Sequence, residues 1–211
     1  MAVASCIVTS CLQTKRNLIA TVSIIHTILV WGDENPHATV ESNFQRFSVN
    51  VWCAVLDDQL IGPFILEGCL TGEAYLRFLQ EELPQLFEDV PLDKQSRMYF
   101  QHDGDPPHSS RGFTNFLNYR FPGRWIGRCG PHHWPARSPD LSPLDYCVWG
   151  WMKELVYSEK LETRNALLGR ILDAEDHIRN SQLKLLRATS VVHNRAAVCV
   201  AAGGGIFENQ L

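Results

Sequence analysis

A chain of 211 residues with 45% hydrophobic and 20% charged side chains has the make-up of one ordinary globular domain, which excludes wholesale disorder and a membrane protein. A net charge of −4 excludes a surface coated in Lys and Arg, so any nucleic-acid contact has to come from a local basic face. Seven cysteines without C-x-x-C spacing speak for reduced thiols in the cytosol or nucleus rather than a disulfide framework.

In chain order, Leu18 to Trp31 is apolar and follows Lys15 and Arg16, which has the outline of a signal segment. It is too short to span a bilayer, and its β-branched residues (Thr21, Val22, Ile24, Ile25, Thr27, Ile28, Val30) suit a buried strand better. A signal segment and an unstructured or non-native extension stay as alternatives. Phe47 to Leu56 and Ile61 to Leu66 read as strands joined through Asp57-Asp58-Gln59, a β-hairpin. Thr71 is placed to cap a helix whose apolar positions Tyr75, Leu76, Leu79 and Leu83 recur at helical spacing, and Pro84 ends or kinks it.

A short strand, Met98 to Gln101, runs into His102-Asp103-Gly104, and a helix after Pro107 carries Phe113, Phe116 and Leu117 on one side. Arg124 to Gly127 suits another short strand, and Gly130, Pro131, Pro135 and Pro139 force an extended loop to Ser142. Three helices follow: Pro143 to Val156; one from Thr163 with Leu167, Ile171, Ala174 and Ile178 on a face; and one from Gln182 to Ala202, stopped by Gly203-Gly204-Gly205. Early strands, a strand-helix alternation and late helices predict an α/β fold, a mixed sheet flanked by helices with a C-terminal helical tail.

Two acidic residues stand out. Asp103 follows a strand, and Asp145 lies in the first turn of a helix; carboxylates from a strand end and a facing helix suit a shared hard divalent cation. Each also has a purely structural reading. Asp103-Gly104 is a common turn dipeptide, and Ser142, Pro143 and Asp145 make a variant of the capping box. From Asp105 to Asp140 no acidic residue intervenes, while Arg111, Arg120, Arg124, Arg128 and Arg137 are interleaved with Phe113, Phe116, Tyr119, Phe121, Trp125 and Trp134. Arginines neutralise phosphates and aromatics stack on bases; the alternative is core aromatics beneath a solvated face. Cys129, His132, His133 and Cys147 are zinc-compatible in type but irregular in spacing.

Several motifs carry a resemblance. Asp33-Glu34-Asn35-Pro36-His37, Phe47-Ser48-Val49-Asn50-Val51-Trp52, His102-Asp103-Gly104 with Pro106-Pro107-His108, and Ser138-Pro139-Asp140-Leu141-Ser142-Pro143-Leu144-Asp145 are similar to those of mariner-type DDE DNA transposases. Gly204-Gly205-Ile206-Phe207-Glu208 matches the family's C-terminus. The resemblance implies an RNase H-like fold with a central five-stranded sheet, and metal-dependent phosphodiester cleavage and strand transfer at transposon ends. It assigns Asp103 and Asp145 to the second and third metal-binding, catalytic positions, with Mg²⁺ or Mn²⁺ as cofactor. DNA is the expected partner and a homodimer an open one; no membrane and no small-molecule cofactor are expected, and the nucleus is the expected location, or the cytoplasm without import.

The chain departs from the family pattern at its front. The first catalytic aspartate of the family precedes the position matched by Trp31, yet residues 1–32 contain no Asp or Glu, and the family's DNA-reading helix-turn-helix has no counterpart here. The expectation is therefore an N-terminally shortened catalytic domain with impaired chemistry, the alternative being a non-catalytic nucleic-acid-binding or interaction module on the same fold. Residues 1–30 are left open, with a replaced first strand as one option. Residues 31–160 are the expected catalytic-domain core, and 161–211 the helical tail.

Overall fold

The computed structural model describes residues 6–7, 18–19, 48–68, 70–102, 111–134, 138–207 and 209. Its centre is a hairpin of β3 (Ser48–Leu56) and β4 (Gln59–Leu66). The two strands turn through Asp57 and Asp58, with Leu56 paired to Gln59 and Asp57 at a φ of 54°, a left-handed conformation that Asp tolerates. The other edge of β3 takes two short antiparallel partners: β1 (Cys6–Ile7) against Val55 and Leu56, and β2 (Leu18–Ile19) against Ser48 and Val49.

Of the strand expected over Leu18 to Trp31, Leu18–Ile19 is strand, and residues 20–31 lie outside the described residues. A second, parallel pair joins β5 (Phe100–Gln101) to β6 (Trp125–Ile126), and β1 also lies beside β5. The described strands thus include antiparallel and parallel pairings, in one four-stranded and one two-stranded sheet rather than a continuous five-stranded one.

β3 is buried on both faces, and its alternation divides the interior. Trp52, Ala54 and Leu56 face a core shared with α1 (Gly72–Glu81), α4 (Arg111–Arg120), β5 and β6. Val49, Val51, Cys53 and Val55 face a second core with α5 (Trp149–Val156), α6 (Arg164–Arg179) and α7 (Gln182–Ser190). Helices therefore cover both faces of the hairpin, as a strand without a polar side requires. No helix among the described residues is long and apolar enough to cross a membrane.

The helix starts follow local chemistry. Thr71 Oγ1 accepts from Ala74 N–H at 3.2 Å, and Thr163 Oγ1 from Ala166 N–H at 3.1 Å, which satisfies donors left open in each first turn. The face of α6 read from the sequence, Leu167, Ile171, Ala174 and Ile178, is buried. After α1 the chain makes the four-residue α2 (Leu83–Leu86), with Pro84 in its first turn.

Three elements differ from expectation. α3 (Leu92–Arg97) has no buried residue and so no apolar period to reveal it; Gln95 Nε2 holds it by donating to Phe87 O and Val90 O, each at 2.8 Å. The helix expected from Pro143 begins as a π turn, Leu144–Val148, closed by Trp149 N–H to Leu144 O. The last helix is two, α7 and α8 (Val192–Ala201), divided at Val191. Near that break Thr189 Oγ1 donates to Asp57 O at 2.8 Å and approaches Leu185 O and Leu186 O, a side-chain bond that competes with the helix ladder. The glycine stop is as read: Gly203 and Gly204 have φ of 63° and 78°, and Gly204 N–H reaches Cys199 O at 2.9 Å, a Schellman closure.

Gly62 is required where it stands. Its φ is 86°, and a Cβ there would lie 2.9 Å from Trp52 O, while its carbonyl accepts from Arg179 Nη2 at 2.8 Å. Gly62→Ala is expected to cost about 1–3 kcal/mol from the strained φ alone, read as a lower urea midpoint at unchanged slope; an unaltered midpoint would contradict it.

Candidate metal and nucleic-acid site

Asp103 and Arg137 lie outside the described residues, so the described part of the site is built around their neighbours. The residue that leads into Asp103 is firmly held. His102 is 1% exposed, its N–H donates to Ile126 O at 2.8 Å, and its Nε2 meets Tyr75 Oη at 3.2 Å. Phe113 and Phe100 flank its ring with centroids at 4.6 and 6.1 Å. A backbone bond, a side-chain bond and two ring contacts fix the point from which the chain departs.

Asp145 is exposed on the π turn. Its N–H and that of Tyr146 both reach Ser142 O, at 2.9 and 3.0 Å, and the widening follows in the i→i+5 bond from Trp149 N–H to Leu144 O. Single π turns are rare and recur at functional positions. The preceding Ser-Pro-Asp-Leu stretch forms a 3₁₀ turn over Pro139–Leu141, with Leu141 and Leu144 buried as apolar pegs on either side of Ser142.

Tyr146, the residue after Asp145, reaches the C-terminal helices. Its hydroxyl donates to Ala188 O at 2.6 Å, and the Arg195 guanidinium lies over its ring at 4.2 Å. Burial pushes the phenol far above its ordinary range, with Arg195 acting in the opposite direction, so it stays a neutral donor. Burial also raises the Cys147 thiol, against the pull of Lys184. Sequence reasoning missed Tyr146 and Arg195, because a contact across 49 positions leaves no local pattern.

The arginine-rich segment divides. Arg111, Arg120 and Arg128 are exposed; Arg120 also lies over the Phe121 ring at 5.7 Å. Arg124 is half-buried, and its Nη1 donates to Gln95 O and Met98 O, both at 3.2 Å, which ties β6 to α3. Arg111 and Arg120 stand at opposite ends of α4, and nine residues of helix put them on opposite sides of it.

The aromatics divide as well. Phe113, Phe121 and Trp125 are core, as the alternative reading had it. Tyr119 is 86% exposed, and Trp134 lines a cavity of about 800 Å³ with Tyr99, Ile126, Leu141 and Val200. Among the zinc-compatible residues, His132 Nε2 meets Gly123 O at 3.2 Å and its ring packs on Tyr99. Trp151 packs against His177 and carries Lys184 at 3.4 Å over its ring, which joins α5, α6 and α7.

Carboxylate oxygens are the donors that Mg²⁺ and Mn²⁺ take, and Asp145 carries them on an exposed residue. Among the described residues no group of three His, Cys, Asp or Glu side chains is placed to hold a metal ion.

Comparison with known proteins gives a consistent neighbourhood, although no family model matches the chain. The Tc3 transposase of Caenorhabditis elegans is 26% identical over 160 residues, 74% of this chain and 45% of that protein; the chain thus spans less than half the length of the curated relative it matches. A pre-cleavage Mos1 transpososome superposes with a TM-score of 0.64 at 23% identity, over 85% of this chain and 52% of its counterpart. The Mos1 transposase catalytic domain with raltegravir and Mg superposes with a TM-score of 0.63 at 21% identity, over 76% and 77%.

Proposed function

Because the chain is similar to mariner-type transposases in both sequence and fold, we propose that it is a transposase-derived domain that binds DNA and retains a weakened metal-dependent phosphodiester chemistry. The observation that carries this reading is the placement of Asp145: the motif it closes is specific to the family, and here it ends on an exposed, irregular turn braced from both sides. In this scheme Asp103 and Asp145 hold Mg²⁺ or Mn²⁺. A divalent cation, when bound, polarises the phosphate and activates the attacking oxygen. The chain's own part is to present two hard carboxylates, Asp103 in the stretch that follows His102 and Asp145 on the π turn, and to keep DNA in register through exposed arginines such as Arg120 and Arg128. DNA as substrate makes the nucleus the working compartment.

Weak chemistry follows from the front of the chain. β1, paired with β3 and beside β5, belongs to a stretch with no Asp or Glu through residue 32. A site with two carboxylates where the family has three has lower metal affinity and leaves more phosphate charge uncompensated. The same observation favours the second reading, a module that binds DNA without cutting it. The two part only at cleavage.

Fluorescence anisotropy with a labelled duplex between 50 and 200 mM KCl tests the shared claim. Affinity is expected to fall linearly with salt on logarithmic axes. Arg120→Ala and Arg128→Ala should each reduce the slope by about one, while Arg124→Ala, whose guanidinium serves the fold, should lower stability instead. Absence of binding at 50 mM KCl would overturn both readings.

A further inference from the structure

We propose that the C-terminal helices α7 and α8 hold the Asp145 turn in working position through Tyr146 and Arg195, which makes these two side chains positioning residues for a metal-binding carboxylate. The inference rests on the proposed role of Asp145 and extends the site to helices that carry no family motif of their own.

Three contacts make the case. From the residue after Asp145, the Tyr146 hydroxyl donates to Ala188 O in α7 at 2.6 Å. From α8, the Arg195 guanidinium covers the Tyr146 ring at 4.2 Å. The Nε of the same arginine donates to Asp140 O at 2.6 Å, within the 3₁₀ turn that opens the motif. Arg195 therefore grips the motif at both ends, residues 140 and 146, while Tyr146 fastens its second end to α7. The ten residues from Pro139 to Val148 comprise a 3₁₀ turn and a π turn, neither with the regular ladder of an α-helix, so their direction is set by side-chain contacts.

The chemistry of the pair suits a fixed clasp. Tyr146 is half-buried, and its hydroxyl is committed to a backbone carbonyl of α7. Arg195 is permanently charged, planar and able to stack on the ring while its Nε bonds a carbonyl. α7 is itself anchored to the hairpin by Thr189 Oγ1 to Asp57 O at 2.8 Å. Residues that orient metal ligands without touching the metal are worth about 10–100-fold in affinity.

The test uses the whole chain and Mn²⁺ alone, with free Mn²⁺ followed by electron paramagnetic resonance. Four variants are compared with the parent: Tyr146→Phe, Arg195→Met, Asp145→Asn and Thr163→Ala. Asp145→Asn is expected to remove the site. Tyr146→Phe and Arg195→Met are each expected to weaken Mn²⁺ binding about tenfold, and the double variant no more than the stronger single one, since both act in one clasp. Thr163→Ala removes the cap of α6, away from the clasp, and is expected to lower stability while leaving Mn²⁺ affinity unchanged.

Parent-like affinity in Tyr146→Phe and Arg195→Met, beside a loss in Asp145→Asn, would overturn the clasp and leave the metal assignment standing. An equal loss in Thr163→Ala would also overturn it, by showing a general loosening. Mn²⁺ binding indifferent to Asp145→Asn would overturn the metal assignment and the clasp together.

Discussion

Trp125→Ala is expected to cost about 3–5 kcal/mol of folding stability, a large part of the 5–15 kcal/mol typical of a domain. The indole is 1% exposed, meets Phe113 edge-on at 6.3 Å, and donates from Nε1 to Asn118 Oδ1 at 2.9 Å. Two glycines press on it: a Cβ at Gly127 would lie 3.0 Å from the ring, and one at Gly130 2.9 Å. Truncation leaves a cavity, deprives Asn118 of its donor and takes the floor from under the loop that returns to His132, where Gly127 N–H donates to His132 O at 2.9 Å. Urea denaturation followed by far-UV circular dichroism measures the loss. A change under about 1 kcal/mol would mean that the ring is peripheral to the fold and free to stack on a base, the role the sequence left open for it.

The second large effect concerns chemistry. Asp103→Ala and Asp145→Asn are each expected to lower Mn²⁺-dependent nicking more than about a hundredfold, since losing even a group behind a metal ligand costs about 10–100-fold. Asp145→Asn keeps size and polarity but removes the charge that a hard cation requires. Because Asp145 is exposed, the substitution leaves no buried charge unpaired, and the melting temperature should stay near the parent value. Activity loss with an unchanged melt separates a ligand role from a helix-start role, which would do the reverse: lower stability and spare nicking.

The parts of the fold legible in the sequence are those with local causes. The hairpin, α1 and α6 announce themselves through alternating or helical apolar spacing and through Thr71 and Thr163 as caps. α3 escapes notice because none of its residues is buried. The break at Val191 depends on Thr189 turning its hydroxyl toward Asp57, 132 positions away.

In the candidate site, Asp145 is legible because its motif is contiguous. Its π geometry and the Tyr146–Arg195 clasp are tertiary. Arg124 looks like its neighbours in sequence, yet its Nη1 is committed to Gln95 O and Met98 O. An arginine count overstates a basic face whenever one guanidinium supports backbone.

The measurement that bears most directly on the central claim is conversion of supercoiled plasmid to nicked circles by the unaltered chain in Mn²⁺, with Asp103→Ala and an EDTA-treated sample alongside. Slow nicking that needs Mn²⁺ and disappears with Asp103→Ala is the predicted result. Nicking that persists in Asp103→Ala would contradict the account by showing that the activity does not use this carboxylate.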